Sequence, residues 1–180
     1  MSKKNIDQLD PVDKEENCLN VIIETPKGSR VKYAYEEDTG LFRLSKVLPE
    51  GMVFPFNFGF VPKTLAPDGD PLDILILNEE PLISGCFVKV RPVAVIKATQ
   101  TEDGKPVRND RVLGQAIGKE VPLEMRDLKV DKLLVSQIEF FFKAYNKLYG
   151  KTFKVLETKG AKKAREIVDR AIKLRKKKGR

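Results

Sequence analysis

One hundred and eighty residues of ordinary globular composition, 41 % hydrophobic and 33 % charged, suffice for one domain with a real core, and no apolar run approaches the ~18 residues of a membrane span. The chain contains no histidine, which excludes histidine general bases, Ser-His or Cys-His nucleophile pairs and His-ligated zinc or iron. The net charge of +8 belongs to the last segment: residues 159–180 hold eleven basic and two acidic side chains, +9, which leaves −1 on the 158 residues before them.

Residues 1–18 are charged and without pattern, and predict a flexible lead-in to a single domain over 19–173, with 174–180 as a basic C-terminal tail. The polar start MSKKNIDQLDP lacks the apolar stretch of a secretory signal. Cys18 and Cys86 sit in unrelated contexts, which suits the reducing cytoplasm. Leu19–Thr25 predicts a strand, with Pro26-Lys27-Gly28-Ser29 as its turn. Arg30–Glu36 alternates, with Val31, Tyr33 and Tyr35 on one face and Lys32, Ala34 and Glu36 on the other. Glu37-Asp38-Thr39-Gly40 reads as a hairpin turn and Leu41–Leu48 as the returning strand. Met52–Val61 carries Phe54, Phe56, Phe58 and Phe60, whose ordinary use is core packing, while Pro55, Asn57 and Gly59 interrupt its regularity. Cys86–Thr99 predicts a long strand, continued by Arg111–Ile117 after a polar loop at 100–109.

The helical part comes late. Val130, Leu133, Leu134, Ile138, Phe141, Phe142, Tyr145 and Leu148 fall at helical spacing, so an amphipathic helix is predicted over 130–149, ended by Gly150. Lys151–Glu157 reads as a short strand or an extended link. Ala161, Ala164, Ile167, Val168, Ala171 and Ile172 form a second helical stripe with basic residues facing water. Short strands followed by helices give an α+β, mainly β class.

The stretch richest in chemistry is Asp68-Gly69-Asp70-Pro71-Leu72-Asp73, three carboxylates within six residues, held in a turn by Gly and Pro. The apolar run Ile74-Leu75-Ile76-Leu77 follows at once as a buried strand. Clustered carboxylates beside a substrate phosphate suit Mg²⁺, a hard cation that keeps several of its waters. An EF-hand loop is excluded, because its sixth position needs Gly and this chain has Asp73 there.

DGDPLD resembles the signature of the soluble family I inorganic pyrophosphatases. Glu24 in VIIETP, Lys32 in VKYAY, MVFPFNFGFVP at 52–62 and Tyr145 in FFFKAYNKL fall in that family's order and at roughly its spacing, so the resemblance covers residues 20–150. It implies a small, strongly twisted five-stranded OB-like barrel with two C-terminal helices packed on it. It also implies hydrolysis of pyrophosphate to two phosphates with several Mg²⁺ ions, or Mn²⁺ in their place. In that resemblance Asp68 and Asp73 are metal ligands, and Asp70 both ligates and acts as general base. Glu24 touches the metal site through waters. Lys32, Lys46, Arg111 and Tyr145 grip phosphate, with Lys46 in the place of the usual Arg and Arg111 in the place of a Lys. A homo-oligomer is implied as well.

The chain also departs from the pattern. The family's second acidic segment, D-x4-D-x-K, falls on Gln100 and Asn109, so Glu102 and Asp103, with Asp110 nearby, are the candidate carboxylates if the register shifts; the other reading of 100–110 is a solvated hairpin tip. Ala34 stands in the place of a Glu, Asn146 in that of a Lys, and Phe54 and Phe58 in those of tyrosines. Two alternatives stay open. One is a weakened member that binds a phosphorylated ligand; the other is an OB-like module that binds nucleic acid or another polyanion. Against the latter, the barrel sequence shows no basic face.

Overall fold

The computed structural model describes residues 6–118 and 130–178. Their elements are β1 (Val12–Asp13), β2 (Cys18–Thr25), β3 (Val31–Glu36), β4 (Leu41–Val47), β5 (Asn57–Val61), β6 (Leu72–Ile76), β7 (Phe87–Glu102), β8 (Lys105–Arg108), β9 (Arg111–Ala116), α1 (Lys132–Lys147), β10 (Phe153–Gly160) and α2 (Ala161–Lys178).

Five strands close on themselves. β2 pairs with β5, β5 with β6, β6 with β9, β9 with β7, and β7 returns to β2. Closure removes the free edges that a flat sheet of this size would expose. Only the β6–β9 step is parallel in this ring. β7 makes closure possible by its length: it pairs with β2 at its start, β9 in its middle, and β10 and β8 toward its end. A register shift between Pro92 and Ala94 bends it, at a residue that has no N–H to give the ladder. β3 and β4 form a separate two-stranded hairpin beside the ring. Gly59 is required where β5 crosses β2, since a Cβ there would run into the Ile22 carbonyl.

Period-2 alternation splits the core in two. Leu72, Ile74 and Ile76 of β6 join Leu19, Val21 and Ile23 of β2 and the α2 residues Ala164, Val168 and Ala171. Leu75 and Leu77 point the other way, toward Phe54, Phe58 and the α1 residues Ile138, Phe141 and Phe142. Phe54, Phe58 and Phe60 are buried, as core packing requires. Phe54 and Phe58 meet edge to face at 5.1 Å, and Phe142 and Phe153 stack at 4.9 Å. Each such buried ring contributes roughly 1.5–3 kcal/mol. The observed class is the expected one, α+β and mainly β, with an OB-like ring of five strands and two helices against it.

Two boundaries differ from expectation, and between them an open reading is decided. The lead-in is not all loose: Val12 and Asp13 pair with Leu19 and Cys18, and Lys89 bridges Asp13 at 2.9 Å and Glu16 at 2.6 Å. The 100–109 loop is a tight hairpin of β7 and β8, turned by Asp103 (φ +47°) and Gly104 (φ +75°), the left-handed pair that a two-residue turn needs. The basic tail is no appendage, because α2 continues to Lys178. Residues 1–5 of the lead-in and 179–180 of the tail lie outside the described residues.

Candidate active site

The acidic turn is built on Thr64. Its buried hydroxyl donates to the Val61 carbonyl at 2.5 Å and accepts from the Leu72 amide at 2.9 Å, pinning both ends of the 65–71 loop. Inside the loop the Ala66 amide bonds the Asp70 carbonyl at 2.8 Å, and the Asp70 amide bonds Asp68 Oδ1 at 3.3 Å. Gly69 supplies the left-handed φ of +94° that the reversal requires. Asp73 follows on β6, on the face opposite Leu72 and Ile74. There it pairs with Arg111 at the start of the neighbouring β9. Arg111 is only 7 % exposed, and its guanidinium lies 5.0 Å over the Phe142 ring. A cation so buried needs its carboxylate.

The opposite wall is cationic. The β3–β4 hairpin docks through Tyr35, whose amide donates to Glu24 Oε1 at 2.9 Å and whose ring stacks on Phe60 at 5.5 Å. This docking presents Lys32 and Lys46, which are direct partners across the hairpin. Lys46 Nζ sits 3.8 Å over the Tyr149 ring and 5.5 Å from Tyr145. Burial, then Lys32 and Lys151, lowers the Lys46 pKa. Lys151 arrives because α1 ends in a left-handed turn at Gly150 (φ +67°), where the Lys151 amide bonds the Asn146 carbonyl at 3.0 Å.

Both walls face one cavity of about 580 Å³. It is lined by Glu24, Asp68, Asp70 and Asp73, with Arg111 beside Asp73, and by Lys32, Lys46, Tyr145 and Lys151. Crowding of the carboxylates shows in their titration. Burial first, then Asp73, raises Asp68 to about 6; burial raises Glu24 to about 7, against the Tyr35 amide, with Asp73 and Asp70 adding to the rise. Tyr145 is pushed up to about 12, mainly by burial, so it remains a hydroxyl donor at neutral pH. Among the described residues the Tyr145 hydroxyl and Arg111 Nε find no hydrogen-bond partner, and both are buried at this cavity. Two buried donors without acceptors mark where an anionic ligand belongs.

Eight of the expected site residues thus meet in one place: Glu24, Lys32, Lys46, Asp68, Asp70, Asp73, Arg111 and Tyr145. Asp103 does not. It occupies the exposed tip of the β7–β8 turn, outside the cavity lining. Glu102 has its backbone paired with Lys105, and its side chain lies outside the described residues. Asp110 turns away, accepting from the Ala98 amide at 3.1 Å and pairing with Arg108. The lining holds Gln100 and Asn109 instead. Strand alternation explains Gln100, which follows Ala94, Ile96 and Ala98 on the α1 side of β7. Asn146 spends its side-chain amide on the Phe142 carbonyl at 2.8 Å. Lys151, Arg175 and Lys178 also line the cavity, and no motif in the sequence marks them as site residues.

Among the described residues no three acidic groups stand close enough to form a ready-made cation cage, and Asp73 is drawn to Arg111. The donor set nevertheless fits Mg²⁺. It is all hard oxygen, and that ion takes one or two carboxylates beside waters and substrate phosphates rather than an all-protein cage.

The family model described as inorganic pyrophosphatase matches residues 21–176. Similar sequences include the inorganic pyrophosphatase of Nanoarchaeum equitans, 39 % identical over 153 residues, which covers 83 % of this chain and 92 % of that protein. That of Saccharolobus solfataricus is 34 % identical over 175 residues, 96 % of this chain and 99 % of the relative. Among solved structures, an inorganic pyrophosphatase from Thermus thermophilus superposes with a TM-score of 0.83 at 33 % identity, covering 96 % of this chain and 99 % of that one.

Proposed function

This chain belongs to the inorganic pyrophosphatase family, and we propose that it hydrolyses pyrophosphate with Mg²⁺ as cofactor and Asp70 as general base. The observation that carries the site assignment is one cavity that gathers the carboxylates and the cations, where Tyr145 Oη and Arg111 Nε are buried without acceptors among the described residues. Mg²⁺, when bound, would screen the tetra-anionic substrate and acidify the attacking water.

The chain's own residues do the rest by position and charge, since phosphoryl transfer asks little covalent work of the protein. Asp68 and Asp73, with Asp70, supply the oxygen ligands. Asp70 takes the proton of the attacking water. Lys32, Lys46, Lys151 and Arg111 hold phosphate oxygens, and the Tyr145 hydroxyl donates one further bond. Burial, and then its two lysine neighbours, disfavour the charge of Lys46, and a phosphate among the three would favour it again. Glu24 acts through the Tyr35 amide and through solvent, fixing the hairpin that carries the lysines.

No helix among the described residues is long and apolar enough to cross a membrane. Cys18 and Cys86 are free thiols, which supports a reducing, cytoplasmic setting. Leu133 and Phe140, 66 % and 77 % exposed on α1, support a homo-oligomer that covers them. Phosphate release from pyrophosphate, measured with Mg²⁺, with Mn²⁺ and with chelator, tests the enzyme and its cofactor together. Turnover that chelator leaves intact would remove the metal from the mechanism.

A further inference from the structure

We propose that Arg175, on the last turn of α2, is a substrate-binding residue of the cavity, and that Glu37 holds it when no substrate is present. The proposal rests on the cavity being the pyrophosphate site. Arg175 Nη2 donates to Glu37 Oε2 at 3.0 Å, joining α2 to the β3–β4 turn, and both residues line the cavity. Lys178 lines it too, three residues on and hence on the same helical face.

The ion pair is not what places α2. The helix is anchored by Ala164, Val168 and Ala171 in the core, and the Ala171 carbonyl accepts the Leu65 amide at 3.0 Å just before the acidic turn. The pair itself is half in water, with Arg175 40 % and Glu37 48 % exposed, and touches through one nitrogen and one oxygen. Such a contact adds little to stability. It is therefore a poor structural tie and a good exchangeable one. A phosphate offers the guanidinium two oxygens in a fork and more charge than one carboxylate. The same anion repels Glu37. The basic last turn also offsets the negative end of the α2 dipole, but that alone would not require Arg175 to face the cavity.

The two partners then make opposite predictions. If the pair were only a clasp, removing either side would have one effect. If Arg175 serves the substrate and Glu37 competes with it, the effects oppose. Arg175→Gln should raise KM for pyrophosphate about tenfold, the loss of one charge-assisted contact, with kcat within about twofold. Arg175→Lys should recover part of that. Glu37→Gln should lower KM, and the double variant should behave as Arg175→Gln. Calorimetric binding of methylenediphosphonate in Mg²⁺ should follow the same order, and thermal melts should be alike for all four. A shift of KM and binding in the same direction for Arg175→Gln and Glu37→Gln overturns the proposal, as does an unchanged affinity in Arg175→Gln. Failure of the enzyme reading looks different: wild type itself would release no phosphate, while the calorimetric comparison would still decide the role of Arg175.

Discussion

Lys32 and Lys46 face each other as direct cross-strand partners of the β3–β4 hairpin, two like charges at one edge of the cavity. Like charges in that relation are destabilising on their own. Lys151 adds a third, and the lowered pKa of Lys46 registers both neighbours after burial. The arrangement makes sense once an anion lies among them.

Inorganic phosphate should therefore stabilise the protein well beyond a general salt effect. At about 100 times its Kd a ligand adds about 2.7 kcal/mol, which in a chain of this size moves Tm by roughly 5–10 °C. Lys32→Met should lose most of that shift at the same phosphate concentration. Melts with phosphate and with matched chloride measure it. Equal phosphate shifts in wild type and variant would take Lys32 out of the anion site.

Asp70 and Asp68 should fail in different ways. Asp70→Asn keeps the turn and one ligating oxygen but removes the base, so turnover should fall by roughly 10²–10⁴-fold at every Mg²⁺ concentration. Asp68→Asn weakens metal binding, and more Mg²⁺ should restore part of its rate. Rate against Mg²⁺ concentration separates the two. Near-full turnover of Asp70→Asn at saturating metal would assign the proton to another group.

Much of this was legible in the chain because it is local. DGDPLD is one turn, β3 and β4 are neighbours in sequence, and the α1 stripe is a periodicity. What pattern alone misses is what distant segments settle, and the five-stranded ring was expected only from the family resemblance. Closure of the ring depends on β7 meeting both β2 and β9, and no periodicity encodes that. Arg175 and Lys178 read as a solvated tail, since only the packing of α2 aims its last turn at the cavity. The β7–β8 hairpin was one of two readings open for its loop. Asp103-Gly104 is a strong two-residue turn signal, and it favours the hairpin tip over Asp103 as a ligand.

Asn109 is 5 % exposed at the cavity wall, its amide bonded to the Ala98 carbonyl at 3.0 Å, so the register there is fixed by backbone. Asn109→Asp places a carboxylate beside the others without moving the chain. Titration calorimetry should show at least one Mg²⁺ binding more tightly, while the metal-free variant should melt lower, because a buried anion has joined Asp68 and Asp73. Unchanged Mg²⁺ affinity would mean that the wall carrying Asn109 faces away from the metals.

Glu24 gives the clearest pH dependence in the metal-free protein. Its carboxyl is held at about 7 against an ordinary 4.5, chiefly by burial and then, against the Tyr35 amide, by Asp73 and Asp70. A carboxyl whose pKa is raised on folding binds its proton more tightly when folded. Its contribution is therefore intact below the ordinary value and is lost as pH climbs from 4.5 to about 7. Over that whole window the loss amounts to about 3 kcal/mol. Asp68, raised from 3.8 to about 6, pulls in the same direction over a lower window. Glu24→Gln keeps an oxygen for the Tyr35 amide but cannot ionise. In chelator, urea unfolding of this variant should match wild type near pH 4.5 and exceed it increasingly toward pH 8, while the slope that Asp68 causes remains. With Mg²⁺ present the wild-type loss should shrink, because the cation favours the ionised carboxylates. Parallel stability curves for variant and wild type in chelator would show that folding does not change the protonation of Glu24.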